Sequence, residues 1–343
     1  MRAKYCFFGL VLTFIATAMP NFGLAQTNAS ENKQITIAMG GKNLYYLPLT
    51  IAERLGYFKE EGLQATIVDF SGGAKAAQAM LGGSADVASG SYEYTINMQA
   101  KGLPIVAIVL LGRYSGMVLA IAKSRAAQYK SPKDLKGMKV GVTSPGSSTN
   151  MFVNNLLVKN GLKPDDVSII GVGTTSAAVA AIKQHSIDAL VNLDPVISKL
   201  ESDGDIVIAS DARNAKGMQE AYGGAYLAGC LLVKSNYLSK NPNTVQAMTN
   251  AIVHALRWIA KATPDQITEA VGPDYYGDDK ALYKLGLSKN IESFLHDGTF
   301  SMQGAENVYK VLNTFEPSVR EAKIDLTKTY TNTFVQNALR KYK

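Results

Sequence analysis

Lys139-Val140-Gly141-Val142-Thr143-Ser144-Pro145-Gly146-Ser147-Ser148-Thr149 is the stretch on which the fold turns, because it starts a pattern the chain has already run through once. Its β-prone beginning reads as a strand. The small polar turn that follows opens a helix through residue 159, stopped by Gly161.

The same plan is written upstream. Residues 35–39 read as a strand closed by Gly40-Gly41, residues 46–59 as a helix stopped by Gly62, and 64–70 as a second strand ending in Ser71-Gly72-Gly73. An Ala-rich helix follows at 74–81, then a short strand at 85–88, a helix at 92–101 and a strand at 103–111. Downstream of the quoted stretch come a strand at 167–172, a helix at 176–184 and strands at 189–191 and 206–209. Strands alternating with helices imply two α/β lobes, each a parallel sheet covered on both faces. The extended runs 117–122 and 229–233 bracket the second lobe and are expected to cross between lobes, giving a hinge and a central cleft. The expected boundaries are 26–118 and 230–343 for a discontinuous first lobe and 119–229 for the second. The helices expected at 243–262, 264–271, 279–294, 303–315 and 330–340 are assigned to the first lobe, since alone they would need a core of their own.

The length of 343 residues suits two packed lobes, and 47% hydrophobic with 18% charged residues is ordinary globular composition. Residues 1–25 read differently. Arg2 and Lys4 precede an apolar run of about a dozen residues, Pro20 and Gly23 break it, and Gly23-Leu24-Ala25 offers small residues for cleavage after Ala25. That is the layout of a secretory signal peptide, and the run is too short to span a bilayer. Cleavage would lower the formal charge from +7 to +5 and leave Cys230 as the one cysteine, expected as a buried inert thiol. A mild charge with no basic run interleaved with aromatics gives no support to nucleic-acid binding.

In an open α/β sheet a ligand sits outside the carboxyl ends of the strands, where turns into helices expose backbone N–H groups. Ser71-Gly72-Gly73 in the first half and Gly146-Ser147-Ser148-Thr149 in the second are such turns, and facing each other they would suit an anionic head group. Each would also serve as plain capping chemistry. Ser89-Gly90-Ser91 adds small polar surface. Tyr45 and Tyr46 either wall the ligand or begin a helix. Arg113 either pairs with an anion or is a surface charge, and Asp194 either meets the ligand or caps the next helix.

These residues resemble a known family. Ala52-Glu53-Arg54-Leu55-Gly56-Tyr57-Phe58-Lys59-Glu60-Glu61-Gly62-Leu63 is similar to the signature of the SsuA/TauA/NMT1-like (NMT1/THI5-like) periplasmic solute-binding proteins of ABC importers. Ala79-Met80-Leu81-Gly82-Gly83-Ser84-Ala85-Asp86-Val87 resembles that family's next motif, and Lys133-Asp134-Leu135-Lys136-Gly137-Met138-Lys139-Val140-Gly141-Val142 the opening of its second lobe. The resemblance implies the type II periplasmic binding protein fold, with contacts at the turns named above. It implies capture of a small organic anion, such as a sulfonate, a taurine-like molecule or an aromatic carboxylate, delivered to an inner-membrane permease. A neutral heterocycle such as a pyrimidine precursor, or presentation of the ligand to a sensor, are the alternatives. Where relatives often carry a Trp this chain reads Val191-Asn192-Leu193-Asp194-Pro195, a departure that argues against copying a standard alkanesulfonate assignment.

An enzyme is not expected. His185, His254 and His296 are scattered, no phosphate loop or nucleophile elbow occurs, and the Cys-rich motif of the fungal pyrimidine synthases is missing. A monomer without metal or cofactor, acting in the periplasm, is the expectation.

Overall fold

The computed structural model describes residues 29–342 and Met1; the expected signal peptide, with Cys6, lies outside the described residues. Among the described residues ten strands form two five-stranded sheets. The first contains β1 (Gln34–Met39), β2 (Gln64–Asp69), β3 (Val87–Ser91) and β4 (Ile105–Leu110). The second contains β5 (Val118–Ala122), β6 (Lys139–Val142), β7 (Ser168–Gly171), β8 (Ala189–Asn192) and β9 (Ile206–Asp211). β10 (Gly229–Lys234) returns to the first sheet, whose order is β2-β1-β3-β10-β4; that of the second is β7-β6-β8-β5-β9.

Neither sheet is purely parallel, which corrects the expectation. β10 runs antiparallel to β3 and β4, and β5 runs antiparallel to β8 and β9. The runs expected to be crossings are thus paired strands, each inserted into a sheet on arrival from the other lobe. The crossings lie just before them, in residues 111–117 and 223–228. Edge strands differ in burial: β4, last in its sheet, is buried throughout because α10, α16 and the segment at Tyr330 cover it, whereas the edge strands β2 and β7 expose most of their residues.

Between the strands of the first sheet lie α1 (Leu47–Arg54), α2 (Tyr57–Glu60), α3 (Gly73–Leu81) and α4 (Glu93–Ala100). The second sheet carries α5 (Ser148–Lys159), α6 (Ser176–Lys183), α7 (Val196–Ser202) and α8 (Ala215–Tyr222). Asn214 starts α8 by accepting from Gly217 N–H at 3.0 Å, and Gly223 stops it in the left-handed conformation at φ 78°.

The remainder is helical: α9 (Ser235–Lys240), α10 (Pro242–Ile259), α11 (Pro264–Val271), α12 (Pro273–Tyr276), α13 (Lys280–Asn290), α14 (Met302–Phe315), α15 (Pro317–Glu321) and α16 (Thr333–Lys341). Pro242 begins α10, and Val245, Met248, Ile252 and Leu256 form a buried stripe against β4, α1 and α16. Two of these helices touch both lobes, meeting α4 and the 3-10 turn at Leu44–Tyr46 in the first. α13 packs on α7 and α14 on α5, so both reach the second lobe as well. No helix among the described residues is long and apolar enough to cross a membrane.

Candidate functional site

The first sheet contributes its half of the cleft through the turns after β1, β2 and β3. Asn43 Oδ1 accepts from Tyr45 N–H at 3.0 Å, capping a single 3-10 turn at Leu44–Tyr46 that buries both tyrosines edge-on, 5.1 Å apart. Tyr45 Oη donates to Ser91 Oγ at 3.3 Å, and Gly40 N–H donates to Ser89 Oγ at 3.4 Å. Gly73 opens α3 between two phenols: a Cβ there would lie 3.0 Å from Tyr94 Oη and 3.1 Å from Tyr46 Oη.

The second sheet answers with hydroxyls. Thr143 Oγ1 donates to Ser147 Oγ at 2.9 Å, Ser147 and Thr149 share a hydrogen bond of 2.8 Å, and Thr149 Oγ1 accepts from Thr143 N–H at 3.0 Å. The two halves touch. Ser148 N–H donates to Tyr94 Oη at 3.3 Å, and Leu44 N–H to the Asp194 carbonyl at 3.1 Å. A Cβ on Gly72 would fall 2.6 Å from Ser144 Oγ, and one on Gly41 2.3 Å from Thr174 Oγ1.

One end of this interface holds a carboxylate. Glu93, first residue of α4, is 1% exposed. Tyr226 Oη donates to its Oε1 at 2.5 Å, and Tyr226 stacks on Tyr222 at 3.8 Å. Burial drives the Glu93 carboxyl up to about 7 against the pull of the Tyr226 and Ser91 hydroxyls, with a further push from Glu316. Burial likewise raises the Tyr45, Tyr222 and Tyr226 phenols and the fully buried Cys230 thiol.

The Glu93 shift has a measurable sign. Between pH 4.5 and about 7 the folded protein holds a proton that the unfolded chain has lost, so stability falls as pH rises through that window. Glu93→Gln removes this loss while its amide oxygen still accepts from Tyr226. Urea titrations at pH 5 and pH 8 are expected to show the variant gaining on the parent by on the order of 3 kcal/mol at the higher pH. Equal differences at both pH values would refute the shift.

The expected site residues fall into four groups. Tyr45, Tyr46, Gly72, Gly73, Ser89, Gly90, Ser91, Ser147, Ser148 and Thr149 are buried at or next to the contact between the sheets, with Gly90 against Tyr94 and Leu232. Ser71 and Gly146 belong to the same turns but are exposed. Arg113 lies on the first crossing, where it pairs with Glu292 at 2.7 Å and covers the Tyr114 ring. Asp194, preceding a cis peptide bond to Pro195, is engaged at both oxygens. Oδ1 accepts from Ser198 N–H and Oγ at 2.8 and 2.6 Å, and Oδ2 accepts from Arg213 Nη1 at 3.2 Å and Asn290 Nδ2 at 2.7 Å.

Sequence reading missed Glu93, Tyr94, Thr143, Ser144, Thr174, Tyr222 and Tyr226. The visible signal was Ser91-Tyr92-Glu93-Tyr94, a single acid in an otherwise uncharged stretch at the end of a strand. A surface recess of about 430 Å³ lies elsewhere, along Glu53, Arg54, Phe58 and Gln64. The cleft is the stronger candidate because residues from both sheets meet there and leave buried polar atoms unpartnered. No cluster of three metal-ligating side chains occurs among the described residues.

The sequence profile of the NMT1/THI5-like family matches residues 43–267, most of both sheets. The chain belongs to the NMT1/THI5-like family. Among family relatives, YtlA of Bacillus subtilis (strain 168), named as a binding protein, is 23% identical over 273 residues, 78% of this chain and 79% of that one. The pyrimidine phosphate synthase THI5 of Saccharomyces cerevisiae is 24% identical over 223 residues, 63% of each chain. A solved structure from Bordetella bronchiseptica RB50 is 48% identical with a TM-score of 0.89, covering 92% of this chain and 99% of its own. The alkanesulfonate-binding protein SsuA of Xanthomonas axonopodis pv. citri, bound to MOPS, superposes with a TM-score of 0.71 at 18% identity over 90% of this chain and 99% of its own. The fold is that of the type II periplasmic binding proteins.

Proposed function

We propose that this chain is the solute-binding component of an ABC importer, working in the periplasm, which captures a small organic molecule between its lobes and delivers it to a membrane permease without turning it over. The observation that carries this reading is the cleft itself: Tyr94 from one lobe meets Ser148 from the other, and Gly72 meets Ser144, at the ends of two covalent crossings. A ligand bridging those groups favours the closed arrangement by contacting both lobes at once; one touching a single lobe would have no such leverage.

The starts of α3 and α5 face one another in this cleft, which supports a place for an anionic group. The tyrosine surfaces at the other end support a ring, in line with the neutral-heterocycle alternative. Capture is favoured over catalysis because the cleft residues are donors, acceptors and aromatic walls with no nucleophile–base pair among them.

A thermal-shift screen identifies the ligand, since one present at a hundredfold its dissociation constant adds about 2.7 kcal/mol. Small-angle scattering of the full chain with that ligand is expected to show compaction at saturation. Unchanged dimensions, or steady consumption of the ligand, would end the reading.

A further inference from the structure

We propose that the molecule held in the cleft presents a protonated nitrogen to Glu93, as an amidine, a guanidine, an amine or a protonated amino-ring would. This rests on the capture reading above and adds the charge of the group at one end of the site.

Three observations carry it. The first is an unmet demand for donors. Glu93 Oε2 is buried and has no hydrogen-bond partner, and so is Asn97 Oδ1, four residues on along the same face of α4. The Asn97 amide oxygen and, once Glu93 is ionised, its Oε2 accept only, so with the proton gone each has room for an N–H or O–H from a bound molecule beside the Ser91 hydroxyl. Asn97 Nδ2 meanwhile reaches Met151 Sδ of α5 at 3.6 Å, which places this face of α4 against the second lobe.

The second is the missing counter-charge. Cations on adjoining elements face other acids: Lys42 pairs with Asp274 at 3.3 Å, Arg113 with Glu292 at 2.7 Å, Arg213 with Asp194 at 3.2 Å and Asp211 at 2.5 Å, and Lys101, at the end of α4, acts on Glu316. The groups facing Glu93 are phenols and hydroxyls from each packed element. They are Tyr45 and Tyr46 from the 3-10 turn, Ser91 from β3, Tyr94 from α4, Tyr222 from α8, Tyr226 from the second crossing and the Cys230 thiol from β10, with the Glu316 carboxylate adding repulsion. A buried carboxylate among neutral neighbours and another acid is stabilised by an incoming cation more than by any neutral donor.

The third is the wall. Tyr222 and Tyr226 stack with planes 18° apart, and Tyr222 Oη, near Ser115, lacks a partner. Aromatic faces beside a carboxylate favour planar cations.

The raised Glu93 pKa then predicts a proton exchange: the cation enters and the carboxyl proton leaves to solvent. The probe is benzamidine, cationic across the range, compared with benzamide, its neutral isostere, by calorimetry on the full chain. Benzamidine is expected to bind at least tenfold more tightly than benzamide at pH 8, and roughly tenfold or more weakly at pH 5 than at pH 8. Glu93→Gln is expected to abolish both differences, and Glu93→Asp, which keeps the charge, to retain the preference. Benzamide binding as tightly as benzamidine, benzamidine binding better at pH 5, or a Glu93→Gln protein with unchanged preference would each overturn the proposal. Compaction with benzamide alone would leave capture standing and remove the charge assignment. Failure of every compound in the ligand screen to compact the protein would remove capture itself.

Discussion

Gly72→Val is expected to weaken ligand binding by about 10- to 100-fold while leaving the melting temperature of the free protein nearly unchanged. The position tolerates a side chain in its own lobe, because its φ of 162° is extended backbone that any residue adopts. The obstacle lies in the other lobe. A Cβ would stand 2.6 Å from Ser144 Oγ, 3.1 Å from Thr143 Oγ1 and 3.3 Å from Ser144 Cβ. Ser144 is 4% exposed and has little room to withdraw. Overpacking of this kind costs about 1–3 kcal/mol, and each 1.4 kcal/mol is about tenfold in affinity. The penalty falls only on the arrangement in which the lobes meet, so it belongs to binding and not to folding. Calorimetry with the screened ligand reads the affinity, and scattering reads closure. A Gly72→Val protein that binds and compacts like the parent would show that the lobes do not meet here when ligand is bound.

Arg213→Ala is expected to destabilise the protein by about 3–5 kcal/mol, the usual result of stripping one partner from a buried ion pair. The guanidinium side chain is 5% exposed, grips Asp211 through Nε at 2.9 Å and Nη2 at 2.5 Å, and reaches Asp194 Oδ2 through Nη1. These acids hold the guanidinium pKa further up despite the opposing effect of burial. Asp194 has a fully buried side chain, and without Arg213 its charge would be left to the neutral donors of Ser198 and Asn290. Arg213→Lys is expected to recover only part of the loss, because an ammonium cannot span two carboxylates with a fixed fork. The double variant Arg213→Met with Asp194→Asn is expected to lose less than Arg213→Ala, since no buried charge is stranded. Urea unfolding of the three proteins checks the order. A loss below about 1 kcal/mol for Arg213→Ala would mean that Asp194 finds compensation the structure does not show.

The repeated strand–turn–helix plan made the two lobes legible, because alternation and glycine stops are local signals. Strand direction was not. The runs around Val118 and Gly229 look like any apolar strand, and their antiparallel insertion depends on where the chain returns from. The glycine and hydroxyl turns were legible for the same local reason as the helices they start. Glu93 was not, because an acid in the first turn of a helix is ordinary. Its burial depends on Tyr226, 133 residues away, and on a helix of the second lobe. Asp194 was noticed for its place after a strand, yet its engagement is set by Arg213 beyond β9 and Asn290 on α13, which no spacing rule connects.

The inserted strands also give the two lobes different histories as the chain is synthesised. Every strand of the second sheet lies between residues 118 and 211, so that sheet can assemble once this one segment has emerged. The first sheet cannot. Its strands β3 and β4 have no direct pairing and wait for β10 to fill the gap between them. A chain cut short between residues 212 and 228 would carry every strand of the second sheet and a first sheet with β3 and β4 left bare at the edges β10 fills, open to pairing with a neighbour. The lobe that is synthesised first is therefore the last to close, and its completion certifies that the other has been made.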